Sequence, residues 1–192
     1  MALLCAVAPA KAEVSAQLVK DLNEAFQGES NASNRYAQFA RKAEQDGYPE
    51  VAKLFRATSA SEAIHRDAHK EAILKLGGKV EKFQLEEVKP GSTAENLKAA
   101  IKGETYENEK MYPEFIALAK KENARPAMRS LRFAMETEKA HAKLYEAALK
   151  NLGKQGKINY YVCQVCGMTV TKLPAEKCSV CREPVDEYEE IL

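Results

Sequence analysis

The segments SEAIHRD (residues 61–67) and TEKAHAK (residues 137–143) repeat one pattern, a Glu followed three positions later by a His. The pairs are Glu62 with His65 and Glu138 with His141. On a helix, side chains three positions apart lie about 5–6 Å from each other on one face, so each pair can chelate one metal ion or bridge two. A single pair of this kind is usually part of a solvated helix face. The two pairs therefore gain meaning only from the sequence around them.

The chain repeats itself around this pattern, which indicates a duplicated helix pair. LNEAFQGES (residues 22–30) aligns with LKAAIKGET (residues 97–105), so that Glu29 matches Glu104 at a separation of 75 positions. The two Glu-x-x-His patterns are separated by 76 positions. Chance similarity between Ala-, Lys- and Glu-rich helices is the alternative, but the rare Gly and His residues keep the register as well. The repeat predicts two helix hairpins related by near two-fold symmetry.

Apolar residues recur at helical spacing through most of the chain. Helices are predicted over about residues 13–46, 50–76, 93–123 and 125–153. Residues 79–91 have extended or strand-like character, and Thr93 is a suitable N-cap for the third helix. Because the connections are short, long and short, the helices form two antiparallel hairpins joined by a crossover. This connectivity predicts an all-α four-helix bundle.

Each predicted helix carries acidic residues on its apolar stripe. In helix order, the inward-facing acids and imidazoles are Glu29; Glu62 and His65; Glu104 and Glu107; and Glu138 and His141. An ionised carboxylate that is buried alone costs many kcal/mol, and the few inward bases cannot neutralise all of these acids. Two metal ions would neutralise them, and carboxylate oxygens with imidazole nitrogens suit iron or manganese.

Three further residues lie near these acids. Tyr36 and Tyr112 face inward about two turns after the Glu of their own helix. Each is either a core residue or a hydrogen-bond partner of a metal-ligating carboxylate. His69 lies one turn after His65 but about 40° further around the helix, so it is interpreted as a packing or surface residue rather than a ligand.

The composition changes after Gly153, and four cysteines dominate the tail. They form two Cys-x-x-Cys pairs, Cys163 with Cys166 and Cys178 with Cys181. A tail of about 37 residues cannot build an adequate core, so a metal ion held by four thiolates is expected to stabilise it. The spacing does not distinguish zinc from iron. A redox-active metal site in the same chain would need electrons, and this favours iron.

The composition of the whole chain excludes several classes of protein. Lys and Arg total 29 against 28 Asp and Glu, so neither nucleic acid nor an anionic membrane is an expected partner. No apolar run reaches the roughly 18 residues of a membrane span. Residues 1–12 are apolar but lack the positive segment of a secretory signal. A cytoplasmic protein with reduced thiols is expected, in which Cys5 has no role in metal binding.

Taken together, these motifs resemble the rubrerythrin family. The resemblance rests on GESNASNRYAQFA, SEAIHRDAH, GETYENEKMYPEF, ETEKAHAKLYE and the terminal CQVCG and CSVC, and it covers nearly the whole chain from about residue 13. It implies a ferritin-like di-iron bundle over residues 13–153, followed by a small, mostly irregular or β rubredoxin-like Fe(Cys)4 domain over residues 154–192. Residues 1–12 would be an N-terminal extension.

The resemblance also implies a function. Rubrerythrins act as peroxidases that reduce hydrogen peroxide to water in the cytoplasm, in defence against oxidative stress, with electron transport through the rubredoxin-type iron. They are usually homodimers, in which the rubredoxin centre of one subunit approaches the di-iron site of the other. A reductase or a rubredoxin is the implied electron donor, and no nucleic acid or membrane is involved.

By the same resemblance, individual residues acquire roles. The implied carboxylate-site ligands are Glu29 for the first iron, Glu104 and His141 for the second, and Glu62 and Glu138 as bridges. Glu107 in the diferric state and His65 in the diferrous state would alternate on the first iron. Tyr36 and Tyr112 match tyrosines that hydrogen-bond near the site, so these two tyrosines, His65 and Glu107 are the candidate catalytic residues. Cys163, Cys166, Cys178 and Cys181 would hold a third iron, or zinc in overproduced protein.

Two features depart from the family pattern. The second cysteine pair reads Cys-Ser-Val-Cys, where rubredoxins usually have Pro after the first Cys, and the chain has no Trp. These departures bear on redox potential and stability rather than on metal ligation. Two other functions fit part of the residues: a ferroxidase or iron-storage bundle, and a metal-binding module whose tail is a structural zinc ribbon.

Overall fold

A computed structural model describes residues 14–154 and 156–192. The predicted N-terminal extension, residues 1–12 with Cys5, lies outside the described residues. Among the helices of the described part, none is both long and apolar enough to cross a membrane.

The described bundle is built from five α-helices. They are α1 (Ala16–Gln45), α2 (Pro49–Lys75), α3 (Thr93–Tyr106), α4 (Tyr112–Lys121) and α5 (Arg125–Lys150). A π-helical turn, Glu107–Met111, joins α3 to α4 with helical backbone angles on both sides, so these three elements form the third rod of the bundle. The four predicted helices are therefore present, but the third one is interrupted. Pro113 accounts for part of this, because it lacks the N–H that would continue a regular α-helix.

Local hydrogen bonds fix where α3 begins and how the crossover runs. The N-cap of α3 is Ser92, in a capping box with Glu95, so the predicted N-cap at Thr93 was wrong by one residue. The backbone N–H and hydroxyl of Thr93 instead donate to Asp46 at the end of α1, at 3.0 and 2.8 Å. Residues 79–92 are extended without strand pairing, and Asn23 holds this segment through Lys79 O at 3.0 Å.

Two apolar clusters fill the bundle, one towards each end. The first is centred on Phe39, Leu54, Phe55, Leu97 and Tyr145, and the second on Leu18, Leu22, Ile73, Phe115 and Leu131. Between them, at mid-helix, lie the buried acids and histidines predicted from the apolar stripes. The packing therefore encloses these polar side chains on both sides.

The tail forms a small antiparallel sheet with strand order β2-β1-β3. The strands are β1 (Tyr160–Cys163), β2 (Thr169–Val170) and β3 (Tyr188–Ile191), and a 3-10 turn covers Val185–Glu187. In register, Tyr161 pairs with Val170 on one side and with Glu190 on the other. The predicted architecture, a helical bundle followed by a small β-containing metal domain, is confirmed.

The tail lies against the bundle of its own chain. Tyr160 and Val162 are 3% and 0% exposed, and both belong to the first apolar cluster of the bundle. Two hydrogen bonds reinforce this contact: Ile158 N–H donates to Glu50 at 2.7 Å, and Arg56 Nε donates to the Leu192 carbonyl at 2.6 Å. The tail thus contacts α2 and the first apolar cluster of the bundle within one chain. The domain boundary at residue 153 stays a prediction.

Candidate metal centres

The buried acids and histidines of the bundle form two overlapping groups of potential metal ligands. One group contains Glu29, Glu62, His65 and Glu138, and the other contains Glu62, Glu104, Glu138 and His141. Within each group, the ligand atoms lie within 4.8 Å of one another. Glu62 and Glu138 belong to both groups, which is the arrangement that two bridged metal ions require.

The distances around the histidines have the same near two-fold symmetry as the sequence repeat. His65 Nδ1 lies 2.9 Å from Glu62 Oε2 and 3.0 Å from Glu138 Oε1. His141 Nδ1 lies 3.1 Å from Glu62 Oε1 and 2.9 Å from Glu138 Oε2. Each of the two shared carboxylates therefore turns one oxygen towards each imidazole, as a bridging carboxylate does.

The groups carry polar atoms that the described protein does not satisfy. Within residues 14–154 and 156–192, the buried atoms without a hydrogen-bond partner at this site are Glu29 Oε2, both carboxylate oxygens of Glu62 and Glu138, Glu104 Oε2, and Nδ1 of His65 and His141. Buried polar groups of native proteins are nearly always satisfied. Two divalent cations would balance the four carboxylates, with both imidazoles neutral, and would use these atoms as ligands. The residues present thus fit a di-metal site.

Burial and mutual repulsion shift the pKa values of these groups in the metal-free chain. Burial, and then repulsion by Glu138 and Glu62, raises the pKa of Glu29 and that of Glu104 well above the usual range. Burial alone would lower the pKa of His65, but attraction by Glu138 raises it. The cluster without metal therefore holds several protons.

The two tyrosines reach across the bundle to the opposite half. Tyr36 Oη donates to Glu104 Oε1 at 2.6 Å, and Tyr112 Oη donates to Glu29. Burial, and then the negative charge of the nearby carboxylate, raises the pKa of both hydroxyls, so both keep their protons at neutral pH. Each tyrosine thus fixes the outer carboxylate of one metal group.

Glu107 lies outside both groups of ligands. It opens the π-helical turn and is half-buried as a residue. Its carboxyl group is desolvated, and burial followed by repulsion from Glu29 raises its pKa. His65, not Glu107, therefore completes the first group in this structure. The proposed alternation of the two residues stays a prediction.

The tail supplies hydrogen bonds that fix the tautomers of both histidines. His65 Nε2 lies 3.0 Å from the Cys166 carbonyl oxygen, which can only accept, so Nε2 carries the proton. His141 Nε2 lies 3.1 Å from Thr169 Oγ1, whose own proton donates to the Gly167 carbonyl. In both imidazoles this leaves Nδ1 as the nitrogen that faces the carboxylates and can bind metal.

Two hydroxyl residues attach the same part of the tail to the bundle. Ser61 Oγ donates to the Gly167 carbonyl at 2.7 Å, and Thr137 Oγ1 lies 3.3 Å from the Cys166 carbonyl. Both precede the Glu of a Glu-x-x-His pattern, so the repeat extends to a hydroxyl residue before each Glu. Our sequence interpretation missed this role. Ser or Thr at matching positions of both repeats was the available signal.

Our sequence interpretation assigned no role at the site to two further buried residues, His69 and Tyr145. His69 is completely buried and lies 3.2 Å from the Tyr112 hydroxyl. Burial, and then the charge of His65, lowers the pKa of His69 to about 3, so its imidazole is neutral. Tyr145 occupies the matching position in the second repeat and is 2.5 Å from Thr58 Oγ1. His69 is thus a packing residue that touches the site, as one of the two interpretations held.

The four cysteines of the tail form a compact tetrad. Cys163 Sγ lies 3.6 Å from Cys181 Sγ, and Cys166 Sγ lies 3.5 Å from Cys178 Sγ. A tetrahedral site with metal–sulfur bonds of about 2.3 Å has sulfurs about 3.8 Å apart, so the tetrad is close to that shape. A hydrogen bond from Cys166, together with backbone N–H groups, lowers the pKa of Cys163 to about 5. Cys163 is therefore the thiol of the tetrad that ionises readily, whereas the pKa of Cys166 is raised by its hydrogen bond to Cys163 and burial raises the pKa of Cys181 to about 11.

The fold and the two sites together define a class of protein: a di-metal carboxylate bundle of the ferritin-like type that carries a four-cysteine metal domain. Residues 20–149 match the family model described as Rubrerythrin. The chain is 34% identical to Rubrerythrin-2 of Clostridium acetobutylicum, over 88% of this chain and 93% of that protein. It is 32% identical to Nigerythrin of Nitratidesulfovibrio vulgaris, over 95% and 90%. The chain belongs to the rubrerythrin family.

Solved structures agree with this assignment. A nigerythrin structure in a mixed-valent state superposes with a TM-score of 0.84, at 31% identity, and covers 96% of this chain and 90% of that one. A Mycobacterium tuberculosis bacterioferritin matches with a TM-score of 0.67, at 22% identity, over 75% of this chain and 91% of that one. At that identity the second match shows the shared bundle fold alone.

Proposed function

We propose that this protein is a non-haem di-iron peroxidase that reduces hydrogen peroxide to water with electrons relayed through an Fe(Cys)4 centre. The observation that carries the proposal is the hydrogen bond between His65 Nε2 and the Cys166 carbonyl oxygen. Cys166 belongs to the cysteine tetrad, and His65 Nδ1 lies among the bridging carboxylates. His65 thus links the two metal sites. A zinc ribbon with a purely structural role would not need such a link.

Iron is the metal that this role requires. Nigerythrin has been described in mixed-valent, partially reduced and all-ferrous states, which supports the same metal here. When bound, the three ions supply the redox chemistry: two electrons for O–O cleavage at the carboxylate site, and their replacement one at a time from the tetrad.

The chain's own residues supply protons and exclude water. Reduction of one peroxide molecule to two water molecules consumes two electrons and two protons. Tyr36 and Tyr112 hold protons at hydroxyls that hydrogen-bond to the outer carboxylates, so both are candidate proton donors at the site. The ligating side chains are at most 1% exposed, which keeps bulk water away.

The test is a metal and turnover assay on anaerobically purified, iron-loaded protein. We expect two irons in the carboxylate site and one in the tetrad, with ferric-thiolate absorption bands from the latter. Peroxide consumption should use two electrons per molecule. A control with zinc in the tetrad should lose turnover driven by a reductase but keep one peroxide reduction after chemical reduction. Failure of the iron-loaded protein to consume peroxide would contradict the proposal.

The assembly and cellular location are part of the same proposal. We expect a homodimer on light scattering, supplied by a reductase or rubredoxin in the cytoplasm, where four metal-binding thiols remain reduced. A large shell filled with mineral after iron oxidation would instead favour the iron-storage function.

A further inference from the structure

Three arginines of α5 line a surface groove that reaches the metal domain. Arg125, Arg129 and Arg132 lie at positions i, i+4 and i+7, which places them on one face of the helix. The other walls of the groove are Met128, Phe133, Glu136 and Val180. We call these seven residues the arginine groove. Val180 lies inside the second Cys-x-x-Cys loop, so the groove extends from the bundle to the metal domain.

The arginine groove is in direct apolar contact with the tetrad. Phe133 and Val180 pack against the buried cysteines Cys163, Cys166 and Cys178. The guanidinium of Arg129 lies 5.1 Å from the centre of the Phe133 ring, so the aromatic ring positions this charge. A molecule in the groove would therefore be separated from the tetrad by little more than one side chain.

The lining of the groove carries an excess of positive charge. Its lining contains three arginines and a single acid, Glu136. Within residues 14–154 and 156–192, none of the three arginines has an ion-pair partner. The whole chain carries a formal charge of only +1, so this excess is local. Arginines around an apolar centre of Met, Phe and Val are typical of a protein-binding surface.

The tetrad has an inner side and an outer side. Cys166 is 1% exposed, and its carbonyl oxygen faces His65 and the carboxylate site. Cys181 is the one cysteine of the four that keeps partial exposure, and the exposed Arg182 follows it. Val180 of the arginine groove precedes Cys181 directly. Through Val180 the groove thus reaches the partly exposed Cys181, whereas the Cys166 carbonyl faces His65.

We infer that the arginine groove is the docking surface for a small acidic electron-carrier protein, which reduces the tetrad from its outer side. The inference rests on the proposed function, because it takes the tetrad as a redox centre. Each encounter would oxidise the carrier by one electron and reduce a ferric ion held by the four thiolates to the ferrous state, with no bond made or broken. Positive charge around the groove steers an acidic partner, and the apolar centre gives it a contact close to the metal.

The first experiment measures binding without any turnover. The full chain is prepared with zinc in the tetrad and titrated with an oxidised, acidic rubredoxin as the probe. The test variant is R125E/R129E/R132E, and the matched control is K98E/K102E/K120E, which makes the same change of charge on exposed lysines of α3 and α4. We expect the dissociation constant to rise at least tenfold in the arginine variant and less than twofold in the control.

The second experiment measures electron entry into iron-loaded protein. The rate of tetrad reduction by pre-reduced rubredoxin should fall at least tenfold in the arginine variant and should fall with added salt in the wild type. Reduction by dithionite should be unchanged, and circular dichroism should show that both variants are folded. The single variant R132E provides a milder version of the same test.

Several results would overturn the inference. They are an unchanged affinity in the arginine variant, an equal loss in the lysine control, and binding of heparin as tight as that of rubredoxin at the same salt concentration. The proposed function fails separately: peroxide would then not be consumed with any reductant, while the affinities would still report on the docking surface.

Discussion

Glu138 is one of the two residues, with Glu62, that both halves of the carboxylate site share. One of its oxygens lies 3.0 Å from His65 Nδ1 and the other 2.9 Å from His141 Nδ1. Burial alone would raise its pKa, but attraction by His65 and His141 lowers it, so this carboxylate is ionised in the metal-free chain. A second carboxylate in the same position is not available to replace it.

Glu138→Ala should therefore remove metal from the carboxylate site and leave it in the tetrad. We expect metal affinity at the carboxylate site to fall by more than about 100-fold, because the loss of a direct ligand exceeds that of an outer hydrogen bond. Elemental analysis and the visible spectrum of the tetrad would distinguish the two sites. Glu146→Ala, an exposed acid on the same helix, is the control. A wild-type metal content in Glu138→Ala would refute the ligand assignment.

Protons compete with metal at this site, which gives a pH dependence of known sign. The pKa values of Glu29, Glu104, His65 and His141 are all raised in the metal-free chain. These groups hold protons near neutral pH that a metal ion must displace, so affinity should rise with pH and fall on acidification. The expected slope is about tenfold per pH unit for each proton released.

Calorimetry in two buffers of different ionisation enthalpy measures this release directly. Manganese is titrated into protein whose tetrad already holds zinc, so that only the carboxylate site contributes. Glu138→Ala gives the background heat. A binding enthalpy that does not depend on the buffer would show that no protons leave, in conflict with the raised pKa values.

At the scale of elements, the turn after the first cysteine pair decides how the tail meets α2. Gly167 has a φ of 79°, in the left-handed region that favours glycine. A Cβ atom there would lie 2.5 Å from His65 Nε2 and 2.6 Å from Ser61 Oγ. Both distances are shorter than real contacts allow, so any side chain would push the tail away from the helix.

Gly167→Ala should thus weaken the link between the two metal sites. We expect the free energy of unfolding to fall by about 1–3 kcal/mol, from the strained backbone and the contact with His65. Electron transfer from the tetrad to the carboxylate site should slow as well. Gly156→Ala is the control, because a Cβ atom at Gly156 would have no neighbour within 4 Å. Thermal denaturation and stopped-flow reduction measure the two effects, and wild-type values for both would contradict this geometry.

At the scale of the whole molecule, the tail is part of the bundle's packing as well as the proposed entry point for electrons. All five described α-helices and all candidate carboxylate-site ligands precede residue 154. Tyr160 and Val162 nevertheless pack into the first apolar cluster, and residues 166–169 hold both histidines through Nε2. Loss of the tail therefore exposes apolar surface and frees the imidazoles without removing a helix.

A chain that ends at Lys154 should fold as a bundle with a lower melting temperature than the full chain. Chemically reduced, it should react once with peroxide, because the carboxylate site stores the electrons for one event. It should fail in continuous turnover fed by a reductase. A mixed dimer of one truncated subunit and one subunit with Glu138→Ala tests whether electrons cross between subunits. Normal reductase-driven turnover by the truncated protein would exclude the tetrad as the relay.

The sequence by itself determined the chemistry of both sites, because that information is local. Helical periodicity places Glu29, Glu62, Glu104 and Glu138 on inward stripes, and burial of an unpaired acid is too costly to occur without a counter-charge. The 75- and 76-residue repeat adds the near two-fold symmetry, and Cys-x-x-Cys spacing alone defines the tetrad. The apolar periodicity and the cysteine spacing each span a few helical turns or fewer, and the repeat is found by aligning two stretches of the sequence, so none of these signals needs tertiary information.

Only the tertiary structure decided which side chains meet across elements. Periodicity shows that Tyr36 faces inward, but not that its hydroxyl reaches Glu104 on another helix rather than the acid of its own. The same holds for the tail: no local pattern shows that the Cys166 carbonyl reaches His65, or that Phe133 packs against the tetrad. Such contacts depend on how the helices and the sheet pack against one another, and the free energy that selects this packing is spread over many apolar side chains.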